Sequence, residues 1–235
     1  VLTTSYDNTI RLWDAETGSL LNTSYGQGLR QFFFSQAKGL QPQKVYARVM
    51  KFFVITICIM FLAVSLYIPI WKHFIASKHW EGLKIVPILL LANMFLGIYY
   101  NLSIWYKLGN KTKAGATITI LGALITLIIN WLFIPRFGFM ACAWATFACY
   151  GSMMVISFVW GQKEYRIPYA WKKLVAYMVI AVLLYGLHQL INKIYVNIYL
   201  SISTATVLLL AYCAFIIKIE KKEFQKIPMI GRFLK

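Results

Sequence analysis

Six stretches of this chain run without a single Asp, Glu, Lys or Arg: residues 52–71, 85–106, 114–134, 139–160, 174–191 and 198–217. A helix rises about 1.5 Å per residue, so each stretch is long enough to cross a hydrocarbon core of roughly 30 Å. Strands are disfavoured, because the strands of membrane barrels alternate apolar and polar residues and these runs are continuous. The expected fold is all-α: a polytopic integral membrane bundle of about six transmembrane helices. Composition agrees. Hydrophobic residues make up 60% and charged residues only 13%, against about 45–50% and about 25% in soluble domains. That sets aside a soluble globular enzyme.

The sparse charge is basic, with 24 Lys+Arg against 7 Asp+Glu. It is confined to the segments between apolar runs, so it forms no soluble basic face for nucleic acid. Counting loop by loop from Lys38, 17 cations precede the first run, follow the even-numbered runs, or lie in the tail; 5 lie in the other connections. The positive-inside rule then places both termini in the cytoplasm, in a multi-pass protein of the inner membrane. An even number of spans requires the same. Trp71, Trp105, Tyr106, Trp131 and Trp160 stand at or near run ends, where aromatic belts form. Pro87 and Pro135 read as helix-end signals. Gly115, Gly122 and Ala123 mark the close-packing side of the third run. Residues 72–84 read as a short amphipathic connection.

Four cysteines, Cys58, Cys142, Cys149 and Cys213, sit inside apolar runs without a CxxC pair, and read as small apolar residues. His73, His79 and His188 have no spacing that suggests a metal site. No basic leader precedes the first run, and a chain beginning at Val1 is expected to be a fragment.

Two resemblances come from the residues themselves. VLTTSYDNTIRLWDAETGSLL, residues 1–21, with Thr9-Ile10-Arg11-Leu12-Trp13-Asp14 and the Thr17-Gly18 turn, resembles a partial WD-repeat blade. One blade cannot bury its own face, so the segment is expected to be a fusion scar. Five further stretches resemble the C-terminal half of the oligosaccharide flippases, within the multidrug/oligosaccharidyl-lipid/polysaccharide exporter superfamily. They are QFFFSQAK (31–38), KVYARVMKFFVI (44–55), residues 80–116, NWLFIPRFGFMACAWATFACY (130–150) and GQKEYRIPYAWKK (161–173). The spacing Asn130-x-x-x-Ile134-Pro135-x-x-Gly138, followed by Ala143-x-Ala145-Thr146, is typical of the polysaccharide biosynthesis C-terminal domain.

The resemblance implies a division into residues 1–21, the WD-like scar; 22–51, a truncated helix end and cytoplasmic loop; 52–217, the six-span membrane domain; and 218–235, a basic tail. It implies one lobe of a two-lobe transporter that moves undecaprenyl-diphosphate-linked oligosaccharide across the membrane by alternating access. Its partners would be that substrate, membrane lipid and a missing N-terminal lobe. The implied setting is O-antigen or lipopolysaccharide biosynthesis, with no cofactor and no enzymatic step. Two alternatives stay open: an inactive fusion remnant, and a membrane-embedded polysaccharide polymerase.

A lipid diphosphate in a low-dielectric cavity needs cations, and Arg contacts phosphate bidentately. Arg30 is the leading candidate, with Gln31 beside it on the last turns of a helix over residues 22–37. Asn93, Asn101 and Asn130 are the polar residues within the runs. Asn93 and Asn101 are two turns apart with Gly97 between them, so they share a face. Sugar contact and plain interhelical hydrogen bonding are both open to them. Tyr99, Tyr100 and Trp105 have the rings to stack on sugars, or to anchor at the interface. Of the acidic residues, only Glu81 and Glu164 are expected near the spans, both in loops. No nucleophile has a neighbouring base, and no phosphate-binding glycine loop is present.

Overall fold

The structure, a computed structural model, describes residues 2–4, 9–13, 20–25, 42–109, 111–194 and 197–221. The chain divides into two compact units, Val1–Tyr46 and Ala47–Lys235.

The first unit holds an antiparallel three-stranded sheet in the order β1 (Leu2–Thr4), β2 (Thr9–Trp13), β3 (Leu20–Tyr25). Leu2 pairs with Leu12 and Thr9 with Tyr25, and the β2–β3 register shifts between Leu12 and Trp13. The expected helix over residues 22–37 fails at its start, because residues 22–25 are the end of β3. Asn22 pairs with Leu12 and Ser24 with Ile10, which uses the segment's backbone in a ladder. Residues 26–37 lie outside the described residues.

The second unit is all-α, and six of its helices are long and apolar enough to cross a membrane. They are α1 (Pro42–Ser65), α3 (Val86–Leu102), α5 (Thr112–Phe137), α6 (Phe139–Glu164), α7 (Trp171–Ile194) and α8 (Ile198–Ile219). Two short helices sit between them, α2 (Ile68–Trp71) and α4 (Ile104–Leu108). The six-span, all-α expectation is the architecture found.

The limits of the spans shift for local reasons. α1 begins at Pro42, ten residues before the first apolar run, because Pro fits the first helical turn and Lys44, Arg48 and Lys51 continue the helix into polar surroundings. It stops at Ser65 rather than at Trp71. Pro69 lacks an N–H and its ring collides with the carbonyl four residues back, so Leu66 and Tyr67 turn and α2 starts afresh. The connection from Lys72 to Ile85 is two 3₁₀ segments, Lys72–Phe74 and Ser77–Ile85, with no buried residue. Pro87 opens α3, as its helix-end reading requires. α3 breaks at Ser103, whose Oγ donates to the Tyr100 carbonyl at 2.6 Å and competes with the helical ladder. Pro135 lies inside α5, three residues before Gly138. That glycine adopts φ 55°, a conformation that favours Gly, and turns the chain directly from α5 into α6.

Two buried clusters share α3. One joins α3 to α1, α7 and α8 through Val54, Leu62, Met94, Ile98, Tyr177 and Tyr212. The other joins it to α4, α5 and α6 through Tyr99, Trp105, Tyr106, Ile118, Cys149 and Met153. Small residues set the closest approaches. A Cβ on Gly97 would stand 2.4 Å from Phe53 Cζ, one on Gly115 2.8 Å from Tyr106, and one on Gly122 2.7 Å from Met153 Sδ. Gly115 and Gly122 are thus the close-packing side of α5, but Ala123 is exposed. One residue further round the helix is about 100° away from the contact. Trp105 and Tyr106 are likewise buried rather than belt residues. Gly161 leaves room for the Trp105 indole, whose Nε1 donates to Ser157 Oγ at 3.4 Å.

Candidate functional site

Polar contacts gather at the two ends of the bundle. At one end Glu220 follows α8 and is buried to 3% exposure. Its carboxylate accepts from Lys51 Nζ at 2.8 Å and from Tyr177 Oη at 2.7 Å, and Lys173 Nζ lies 3.9 Å away. Burial pushes its pKa up, but the hydrogen bonds from Lys51 and Tyr177 and the charges of Lys51 and Lys173 outweigh it. The carboxyl therefore stays below the ordinary glutamate range. At the same end Lys111, before α5, pairs with Glu164 at the end of α6. We call this the basic end. It collects the starts of α1, α5 and α7 and the ends of α6 and α8, the alternation that the loop charges require.

Sequence reasoning missed Glu220. The available signal was one carboxylate among the lysines Lys218, Lys221 and Lys222, directly after an apolar run. Its partners lie 169 and 43 residues away, and no local pattern announces them.

At the opposite end a cleft of about 550 Å³ is lined by Pro69, Lys72, His73, Trp80, Asn192 and Ser201, among others. Lys72 Nζ stands 3.8 Å over the Trp80 ring, a cation–π contact. Beneath the cleft, buried His188 places Nε2 3.2 Å from the Ser201 carbonyl, and Asn192 Nδ2 stands 3.4 Å from Nδ1 and 3.3 Å from Nε2. Ser201 Oγ is 3.4 Å from the same Nε2. No carboxylate orients the imidazole among the described residues. The group ties α7 to α8. The described residues contain no cluster of three or more His, Cys, Asp or Glu suited to a metal ion.

The remaining expected site residues that the structure describes lie along α3, α4 and α5. Asn93 is exposed, and its Nδ2 donates to the Leu89 carbonyl at 2.8 Å. Asn101 is half-buried, and its Nδ2 donates to the Gly97 carbonyl at 3.0 Å. Both amides thus bond within their own helix. Tyr100 shares the open face with Asn93 at 59% exposure, whereas Tyr99 and Trp105 are buried and cannot stack on a ligand. Asn130 Oδ1 and Ser65 Oγ are buried without a hydrogen-bond partner among the described residues. Arg30 and Gln31 lie outside the described residues. Cys58 and Cys149 are buried, Cys142 is exposed and Cys213 is half-buried.

Comparison of this chain with protein-family models, with curated proteins and with solved structures finds no match.

Proposed function

We propose that this chain is one lobe of an inner-membrane transporter that moves undecaprenyl-diphosphate-linked oligosaccharide, with both termini in the cytoplasm. The observation that carries this reading is the open face of α3. Asn93 near the middle of the helix and Tyr100 close to its end present polar groups there, between the flanks that pack on α1 and α6. A polar side chain facing hydrocarbon is costly, and such residues face a cavity, a pathway or a partner. Asn amides and a tyrosine ring are groups that bind sugars by hydrogen bonding and stacking. The sequence resemblance to the second half of the oligosaccharide flippases supports the same reading. In it, the other wall of the path comes from a first lobe, Arg30 and Gln31 meet the diphosphate, and the setting is O-antigen or related surface polysaccharide assembly.

The test is glycan export in cells that lack their own flippase. The chain joined to the first lobe of an oligosaccharide flippase should restore export. Changing Asn93 and Tyr100 together to Leu should lower it about tenfold, the effect of losing one hydrogen bond worth about 1.4 kcal/mol. Arg30→Ala should lower it at least as much, and Arg30→Lys should recover part of the loss. Full export by the Asn93/Tyr100 double variant, or no export by a correctly inserted fusion, would overturn the proposal.

A further inference from the structure

At the basic end, α6 and α7 are joined by residues 165–170 but leave a gap between them. An apolar crevice of about 210 Å³ fills the gap, walled by Met50, Leu102, Val155, Phe158, Leu174 and Met178. It opens outward, since Val155 and Trp171 are each 53% exposed. Beside it lies a second cavity of about 600 Å³, which includes Gln162 and Arg166 and shares Phe158, Tyr169 and Trp171 with the first. An apolar slot thus continues into a polar, cationic mouth.

Among the described residues the mouth has no counter-charge. Among the described residues the carboxylates are Glu81, Glu164 and Glu220. Glu164 is held by Lys111, Glu220 by Lys51 and Lys173, and Glu81 lies in the connection at the opposite end. Arg166 is exposed, and no ion pair joins it to any of them. Lys172 adds a second positive charge, 5.8 Å from the Trp171 ring. Basic pockets between membrane helices select anionic head groups in this way. The crevice also lies away from the polar face of α3. Ile98 and Leu102 reach its wall, five and nine residues beyond Asn93 and therefore about 140° and 180° round the helix.

We infer that this pair of cavities binds one anionic glycerophospholipid of the adjoining leaflet, with an acyl chain between α6 and α7 and its phosphate at Arg166. The lipid is a resident one, on the side of α3 opposite the proposed substrate path. The inference rests on the membrane-spanning fold and not on the transport reading.

The experiment is thermal unfolding of the purified chain in detergent, with added dioleoyl phosphatidylglycerol, dioleoyl phosphatidylcholine, inorganic phosphate or undecaprenyl diphosphate. Phosphatidylglycerol should raise the midpoint by about 5 °C or more at saturation. Phosphatidylcholine should give less than half that shift, and inorganic phosphate none. Arg166→Gln should bring the phosphatidylglycerol shift down to the phosphatidylcholine value. Val155→Trp, which fills the crevice from an exposed position, should remove the response to both lipids. Lys193→Gln, at the opposite end, should respond as the unaltered chain does. Equal shifts from the two phospholipids, an undiminished shift in Arg166→Gln or Val155→Trp, or a loss in Lys193→Gln would overturn the assignment. A larger shift from undecaprenyl diphosphate than from phosphatidylglycerol would also overturn it, because the crevice would then belong to the transported lipid.

Discussion

Glu220 shows what one side chain does for this fold. It is a buried carboxylate whose three partners come from α1 and α7, so it joins three helices at their polar ends. Glu220→Ala leaves Lys51, only 16% exposed, without this carboxylate and empties the acceptor of Tyr177. Charged hydrogen bonds of this kind are worth about 1.5–3 kcal/mol, so the variant should lose about that much stability, read from unfolding in detergent. Glu164→Gln serves as the contrast. Its pair with Lys111 is exposed, and the unfolding midpoint should not move measurably. The pH response follows from the same carboxylate. Its folded pKa lies below the ordinary value of about 4.5, so its stabilisation is complete above that pH. It is lost as the pH falls through the lower, folded value. Unfolding midpoints should therefore hold level from pH 7 to about 5 and drop below that range, and the drop should shrink in Glu220→Gln.

Among the elements, α3 is the one on which both buried clusters depend. It meets α1 across Gly97, where a Cβ would already stand 2.4 Å from Phe53 Cζ. Gly97→Leu should force the two helices apart and cost about 1–3 kcal/mol, while Gly186→Leu on α7, with open space at its Cβ, should be near neutral. Parallel unfolding curves of the two variants check this. The spans were legible because continuous apolar length is a one-dimensional signal. Their ends were less so. The first helix stops at Ser65 because of Pro69, inside a run that stays apolar to Trp71. Its start lies among Lys44, Arg48 and Lys51, which a hydropathy reading assigns to a loop. The candidate site was legible only in part. Asn93 and Tyr100 stand out by residue type, but only the packing of α3 shows that Tyr100 is open and Tyr99 is not. The contacts of Glu220, and the crevice between α6 and α7, are made by residues far apart in the sequence.

The helical unit presents a mostly apolar exterior, on which α3 carries an exposed amide. Leu127, Leu183, Val207 and Leu210 are each more than 60% exposed, as lipid-facing residues are. Asn93 breaks that exterior within a span. In the transport reading, position 93 meets water and position 183 meets lipid. Single cysteines at 78, 93 and 183, in a chain whose four natural cysteines are replaced and which is joined to a first lobe, separate these environments. The measurement is labelling of cells with a polar, membrane-impermeant maleimide. Labelling is expected at 78 in the connecting segment and at 93 on α3, none at 183, and slower labelling at 93 when undecaprenyl-diphosphate oligosaccharide is supplied. If 93 remains as unreactive as 183 while 78 reacts fully, α3 faces lipid and the proposed path does not run along it.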